Sequence, residues 1–267
     1  MSTDYTLAYG THATPEDGRC AMEWVSFLAG ERHSDSPECV SPVLRAFCIA
    51  LNDGLEDAPR QRLRPYLART IGTATDGLDG ERAWLAMDWL IRTYTPTWLA
   101  AAGLTDAALG LRSLHPLAAA DQLPAALATL DLARGEACDG LGRRPVRWLA
   151  PGVAARSAAR ETAWTTAAAA AWAAARLGIG ETAGDRARAT ARMAAGDGAA
   201  IIAREASAAA DGRAAARDAA RAALAPTVQT LQESAFGLLN QLLPTVPWAA
   251  PVTGSRGDRS SLAVLAA

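Results

Sequence analysis

The chain has 267 residues, half of them hydrophobic and a fifth charged, with a formal net charge of −2. That length suits one large domain or two small ones with ample room for a core, and the composition is that of a soluble globular protein. The near-neutral charge supplies no global basic field for nucleic acid or an anionic membrane. All 26 basic residues are arginine. This fits a GC-rich genome better than a specialised role, although a planar guanidinium does pair well with carboxylates and phosphates. No run of eighteen or more apolar residues lacks a charge, so no transmembrane helix is expected. The N-terminus has no basic stretch leading into an apolar core, so no secretory signal is expected. The cytoplasm is then the expected compartment, with reduced cysteines.

Residues 1–17 carry turn formers without a helical period and read as an irregular arm. Residues 18–30 read as a first helix, with Cys20, Trp24, Phe27 and Leu28 on one apolar stripe and Gly30 as its stop. A polar loop follows over 31–40, around Pro37. Ser41-Pro42 starts a second helix, since serine caps free N–H groups and proline suits the first turn. It runs to about Leu51, with Val43, Leu44, Phe47, Cys48 and Leu51 sharing a face, and Asn52-Asp53-Gly54 ends it. A short helix over 59–71 and a glycine-rich break over 72–80 come next. In 81–94, Trp84, Leu85, Met87, Trp89, Leu90 and Ile91 cover most of a helix's circumference, as in a central buried helix. Pro96 interrupts that pattern, and Trp98-Leu99 belongs to a short helix beyond it. Residues 105–119 and 122–134 read as two more helices, and Leu141 to Pro151 as a connector.

From 152 to 225 the composition shifts to alanine, the best helix former, with breaks near Gly178–Gly184 and Gly196–Gly198. Trp164 and Trp172, two turns apart, are expected to anchor the first alanine-rich segment to the body. Pro226 opens a last amphipathic helix with Val228, Leu231, Phe236, Leu239 and Leu242 to bury, and the proline and glycine of 244–267 predict a tail. No segment has strand alternation. The expected fold class is all-α: a multi-helix bundle with alanine-rich, closely packed C-terminal helices. Its parts are a helical Cys/Trp-containing domain over 1–150, an alanine-rich helical region over 151–243 and the tail. The change near 150 is either a domain boundary or a change of style within one bundle.

Several short arrangements carry a resemblance: Gly18-x-Cys20-x-x-Glu23, Ala29-Gly30-Glu31, Asp35-x-Pro37-x-Cys39-x-x-Pro42 and Asn52-Asp53. Ala86-Met87-Asp88-Trp89-Leu90, Pro96-x-Trp98-Leu99 and Gly103-Leu104 extend it. Together with the alanine-rich region, this pattern resembles a family of uncharacterised helical proteins of actinobacteria and their phages. The likeness covers most of the chain in outline and is specific over 18–53 and 82–104. It implies a bacterial or phage context and no mechanism.

Residues 18–53 hold three of the four cysteines, one of the three histidines and a dense set of acids. Cys20, His33 and Cys39, with a carboxylate, are the residue types that bind zinc tetrahedrally. Their spacing is not that of a zinc finger, and Cys20 has a competing reading as a small buried hydrophobe. Cys39 lies just before the Ser41-Pro42 helix start, where N–H groups lower a thiol pKa. It is a candidate nucleophile, with His33 as base and Asp35 to orient it. Glu23, Asp35, Asp53 and Asp88 form a third set, carboxylates that could face one cleft for acid–base work or a divalent metal. Each has a plainer reading. Glu23 is exposed on its helix, Asp35 is a turn former, Asp53 ends a helix, and Asp88 pairs with Arg92 at i,i+4.

Elsewhere the chemistry is sparse. Cys48 reads as core, Cys138 as an exposed thiol in a loop, and His12 and His115 as structural or solvent-exposed. Gly178-x-Gly180 follows no strand, so a dinucleotide site is not expected, and Arg256-Gly257-Asp258 is a chance triplet. Trp84, Trp89 and Trp98 suit an aromatic pocket but more readily a core. The arginines of 186–221, with acids between them, read as a solvated helix face. The favoured expectation is a binding, scaffold or self-associating module whose partner is a second copy or another protein, with no membrane or nucleic-acid partner. The competing one is a small-molecule or metal-dependent enzyme using Cys20, Glu23, His33, Asp35, Cys39 and Asp88, with zinc the one cofactor suggested.

Overall fold

Helix follows helix along the chain, and no strand occurs among the described residues, which are 5–142, 150–164, 167–179 and 181–244 of a computed structural model. The all-α bundle expected from the sequence is what forms. The expected tail past 244, most of the 141–151 connector and the 256–258 triplet lie outside the described residues. In chain order the helices are α1 (Ala21–Ala29), α2 (Pro42–Gly54), α3 (Asp57–Arg60), α4 (Arg64–Thr70), α5 (Asp79–Trp89) and α6 (Thr95–Ala101). Then come α7 (Thr105–Arg112), α8 (Leu123–Gly142), α9 (Ala150–Trp164), α10 (Ala167–Gly178), α11 (Glu181–Ala206) and α12 (Arg213–Leu242).

The local signals act as their chemistry requires. Gly30 closes α1 in the left-handed region at φ 72°, where a side chain is disfavoured. Ser41 caps α2, its hydroxyl accepting from the Leu44 N–H at 3.3 Å and donating to Asp79. Val43, Leu44, Phe47, Cys48 and Leu51 are buried as one face. The stripe expected on α1 is not its core face. Met22 and Val25 are fully buried, whereas Phe27 is 48% exposed. The arm accounts for the difference, because Tyr5 packs on Trp24 at 4.1 Å and the Arg19 guanidinium lies 4.8 Å from both the Trp24 and Phe27 rings.

Pro96 does not interrupt the chain's course. A π-helical turn over Leu90–Tyr94 joins α5 to α6, and the Thr95 N–H and hydroxyl both donate to the Leu90 carbonyl. The wider turn takes up the register in which a proline lacks its donor. Pro226 likewise lies inside α12 instead of opening it. It sits on the solvent side, and Ala222, whose carbonyl loses its partner, is also exposed. α8 runs on to Gly142 and thus makes residues 135–140 helical where a loop was expected.

The alanine-rich helices do not form a separate body. α10 lies between α2 and α5, α11 packs on α6, α8 and α9, and α12 runs along α9. One hydrophobic core extends from Leu7 to Leu243. On α10 the buried face is Ala167, Ala168, Ala170, Ala171, Ala174 and Ala175. Its closest approach is at Gly178, where an added Cβ would fall 2.5 Å from the Ala83 methyl and 3.3 Å from the Asp79 carbonyl oxygen. Next to Ala83 on α5, buried Arg82 clamps α5 to α12. It donates to Asp76 and, through Nε, to the Leu242 carbonyl at 2.8 Å.

Gly178→Ala is therefore expected to lower stability by about 1–3 kcal/mol, the usual cost of overpacking. Gly237, with no atom near its missing Cβ, is the control. Gly237→Ala is expected to be neutral or to stabilise by about 0.4–1 kcal/mol. Thermal and urea denaturation of the two variants checks the contrast, and equal behaviour would show that α10 does not approach α5 this closely.

Candidate functional site

The polar residues of 18–53 hold down the N-terminal arm. That arm has no secondary structure of its own, so its backbone groups need partners. Glu23 sits at the third position of α1 and is fully buried, not exposed as expected. It accepts from the Cys20 N–H at 2.7 Å, the His12 N–H at 2.7 Å and His12 Nδ1 at 2.8 Å. His33 Nε2 lies 3.0 Å from the His12 carbonyl oxygen and 3.9 Å from Glu23. Asn52 accepts from the Ala21 N–H and donates to the Ala8 carbonyl, while Asp53 accepts from the Gly10 N–H. The Gln61 amide pairs with both backbone groups of Leu7. Burial alone would push the Glu23 pKa up. The His12 and Cys20 N–H groups and the His12 ring outweigh it and hold the carboxyl below its ordinary value.

The three constellations expected in this segment do not assemble. Burial pushes the Cys39 thiol up to about 12, reinforced by a hydrogen bond to Glu31 and that residue's charge. The α2 start does not reverse this: its Leu44 N–H goes to the Ser41 hydroxyl, and the Glu31 carboxylate beside Cys39 takes the Glu38 and Cys39 N–H groups. His33 faces His12 and Glu23, and Asp35 accepts from Thr11 and Ser36, so Cys39, His33 and Asp35 each have separate partners. Burial, with the Glu23 charge, also raises Cys20 to about 12. Cys20, His33 and Cys39 do not converge, and among the described residues no group of three or more His, Cys, Asp or Glu side chains could hold a metal. Asp88 pairs with Arg92 at 3.2 Å and accepts from the Leu117 N–H at 2.8 Å, which fixes the loop after α7. Asp88 thus serves a different part of the fold from Asp53, Asp35 and Glu23, which take Gly10, Thr11 and His12 of the arm. Of the expected aromatic trio, Trp98 is fully buried and Trp89 is nearly so, its N–H donating to Ser234 at 2.9 Å.

A cavity of about 880 Å³ lies elsewhere, among α8, α9, α10 and α11. Helical spacing builds it. On α11, Ala189, Arg192, Met193, Gly196 and Asp197 fall at i, i+3, i+4, i+7 and i+8 and so share one face. α9 contributes Arg156, Arg160, Glu161 and Trp164, α8 contributes Arg134 and Cys138, and α10 contributes Trp172. Asp197 is nearly buried and organises the wall. It accepts from Arg160 at 2.5 Å and from the Cys138 thiol at 3.4 Å, and Arg156 lies 3.6 Å away. Gly196 leaves room for this, since a Cβ there would lie 3.3 Å from the Arg160 side chain. Burial first, then Asp197, raises the Cys138 pKa.

The aromatic side of the cleft is a tryptophan pair. Trp164 and Trp172 meet edge to face at 5.3 Å, a favoured geometry. The Arg192 guanidinium lies 4.3 Å from the centre of the Trp164 ring, and Arg188 lies 5.4 Å from that of Trp172. Neither Arg134 nor Arg192 forms an ion pair or hydrogen bond with a described residue, and Arg134 Nε is buried without a partner. Among the described lining residues, four arginines stand with two carboxylates, Glu161 and Asp197, a positive excess.

The sequence placed none of this as a site. Cys138 was expected in a loop, but the continued α8 turns it into the cleft. Trp164 and Trp172 were expected on one helix, but α9 ends at Trp164 and α10 begins at Ala167, so the two rings meet across the break. The arginines and acids of α11 were expected in solvent. Arg186 is indeed exposed and pairs with Asp131, but Arg188 and Asp197 are buried. The readable signal was the i, i+3, i+4 recurrence of small residues with Arg192 and Asp197 among them. Compared with known proteins, the chain matches no family model, no curated protein and no solved structure. No described helix is long and apolar enough to cross a membrane.

Because the folded pKa of Glu23 lies below its unfolded value, its stabilisation is present above about pH 4.3, the ordinary carboxylate range, and is lost as pH falls through the lower folded value. Glu23→Gln is expected to cost about 1–3 kcal/mol at neutral pH through mismatched buried donors, to remove that part of the acid loss, and to speed hydrogen exchange at the His12 amide. Urea titrations across pH, with amide exchange, check it. An unchanged acid slope would mean that Glu23 does not hold the arm.

Proposed function

We propose that the protein is a binding module whose arginine-lined cleft takes up a small anionic molecule. One observation carries this reading. Arg134 and Arg192 line a concave space, neither makes an ion pair with a described carboxylate, and the Nε of Arg134 is withdrawn from water without an acceptor. A buried donor of this kind is costly unless something accepts from it. The planar fork of arginine suits a carboxylate or phosphate, and a concave site with a few convergent polar groups is the usual form of a ligand pocket.

A catalytic reading draws less support. The lining offers Cys138 as its one thiol, and that thiol is tied to Asp197 with its pKa raised, the opposite of an activated nucleophile. No histidine stands among the described lining residues to act as a base. The acids and cysteines of 18–53 are engaged in holding the arm. Uptake and retention of a ligand is thus the function the geometry favours over turnover.

Calorimetric titration with inorganic phosphate, sulfate and a panel of organic carboxylates and phosphate esters tests the proposal. At least one anion is expected to bind, more weakly as salt rises. Arg134→Gln and Arg192→Gln are each expected to weaken it about tenfold, at roughly 1.5–3 kcal/mol per charge-assisted hydrogen bond. Circular dichroism and melting curves confirm that both variants fold. Failure of every anion to bind, or equal affinity in folded variants, overturns the reading.

A further inference from the structure

We infer that the cleft's ligand is an aromatic dianion: a flat ring bearing a phosphate monoester or an equivalent pair of negative charges. The inference rests on the anion-binding reading and narrows it. Charge sets the first limit. Among the described lining residues, Arg134, Arg156, Arg160 and Arg192 stand with two carboxylates, Glu161 and Asp197. Asp197 already engages Arg160 and lies beside Arg156. Four guanidiniums against two carboxylates leave an excess of about two positive charges, and Arg134 and Arg192, on different helices α8 and α11, are the two without an ion pair to a described residue. A dianion neutralises both, whereas a single carboxylate leaves one guanidinium unmatched.

Size and wall chemistry set the second limit. At about 880 Å³ the cleft is in the range of pockets that enclose drug-sized molecules, roughly 300–1,000 Å³. Inorganic phosphate or a short carboxylate fills a small part of it and leaves the tryptophans in water. Beside the guanidiniums the lining includes Trp164, Trp172, Met193 and Ala189, which supply two indoles, a thioether and a methyl. The indoles are fixed edge to face, so they offer ring edges and faces at right angles. Such a corner receives a flat aromatic body better than a flexible chain. Thioether sulfur also packs well against ring edges. Arg192 already lies over Trp164, so it can stack on an aromatic neighbour and donate to an anion at once. One guanidinium thus ties the charged and flat halves of the site together.

The test compares four probes on the full chain by calorimetry and saturation-transfer NMR: 1-naphthyl phosphate, n-octyl phosphate, inorganic phosphate and 1-naphthol. Naphthyl phosphate is expected to bind at least about tenfold more tightly than each of the others, a difference of roughly 1.4 kcal/mol. Its affinity is expected to fall about tenfold in Arg134→Gln and again in Trp164→Leu, with NMR saturation strongest at the ring protons. Trp172→Leu is the second aromatic variant should Trp164→Leu fail to fold. Equal binding of inorganic phosphate or octyl phosphate overturns the aromatic inference and leaves an anion cleft. Equal binding of naphthol overturns the charge requirement, and with it the anion-binding reading. If all four fail while another anion of the wider panel binds, the aromatic dianion alone is wrong. If nothing binds, both are.

Discussion

A helix whose buried face is almost entirely methyl groups sits at the centre of this protein, and the rest of the architecture follows from how closely it can be approached. α10 presents alanines to α2 and α5. Alanine loses no side-chain entropy on burial. Each residue removes little apolar area, so the gain comes from the density of contact that short side chains allow. That density tolerates no added volume at Gly178, where α10 meets Ala83. Trp172, one turn from both Ala168 and Ala175, lies at the flank of that face and lines the cleft. The packing of α10 therefore fixes the aromatic wall as well, and the two cannot shift independently.

Local chemistry was legible wherever a residue's role is settled within a turn or two of itself. The cap at Ser41, the stop at Gly30 and the buried face of α2 all read directly from the chain. Legibility failed where a distant partner decides. The expected apolar stripe of α1 was displaced because Tyr5 and Arg19 reach over from the arm. Pro96 was expected to stop a helix, but Thr95 and the Leu90 carbonyl close a wider turn that carries it through. His12 and Glu23 are eleven residues apart across an irregular segment. No periodic rule joins them; the only clue is that an arm rich in turn residues must find acceptors for its amides somewhere. The cleft was hidden for a different reason. In a chain whose basic residues are all arginine, a ligand-facing arginine and a solvated one look the same, and only tertiary burial of Asp197 tells them apart.

Arginine is also what makes the cleft workable. A lysine is a strongly hydrated point charge, whereas a guanidinium can lie flat on an indole and still point donors outward. Arg192 on Trp164 and Arg188 near Trp172 use the first property. Arg160 on Asp197 uses the second. The buried Asp197 carboxylate holds Arg160 and lies beside Arg156 without neutralising all four arginines of the described lining.

Glu23 and Asp197 are both acids buried at the junction of separate segments, and the contrast between them is the reason the cleft, not the acid-rich N-terminal segment, is proposed as the place for a ligand. Glu23 is satisfied chiefly by backbone N–H groups of His12 and Cys20. Those donors are fixed by the covalent chain, and displacing them means releasing the arm. Asp197 is satisfied by the ends of long side chains, Arg160 and Cys138 with Arg156 nearby. Such groups can turn toward an incoming anion by rotamer changes alone, while the helices that bear them stay packed. A site closed by backbone serves the fold. A site closed by flexible guanidiniums beside an open cavity can exchange one partner for another, and that exchange is what binding requires.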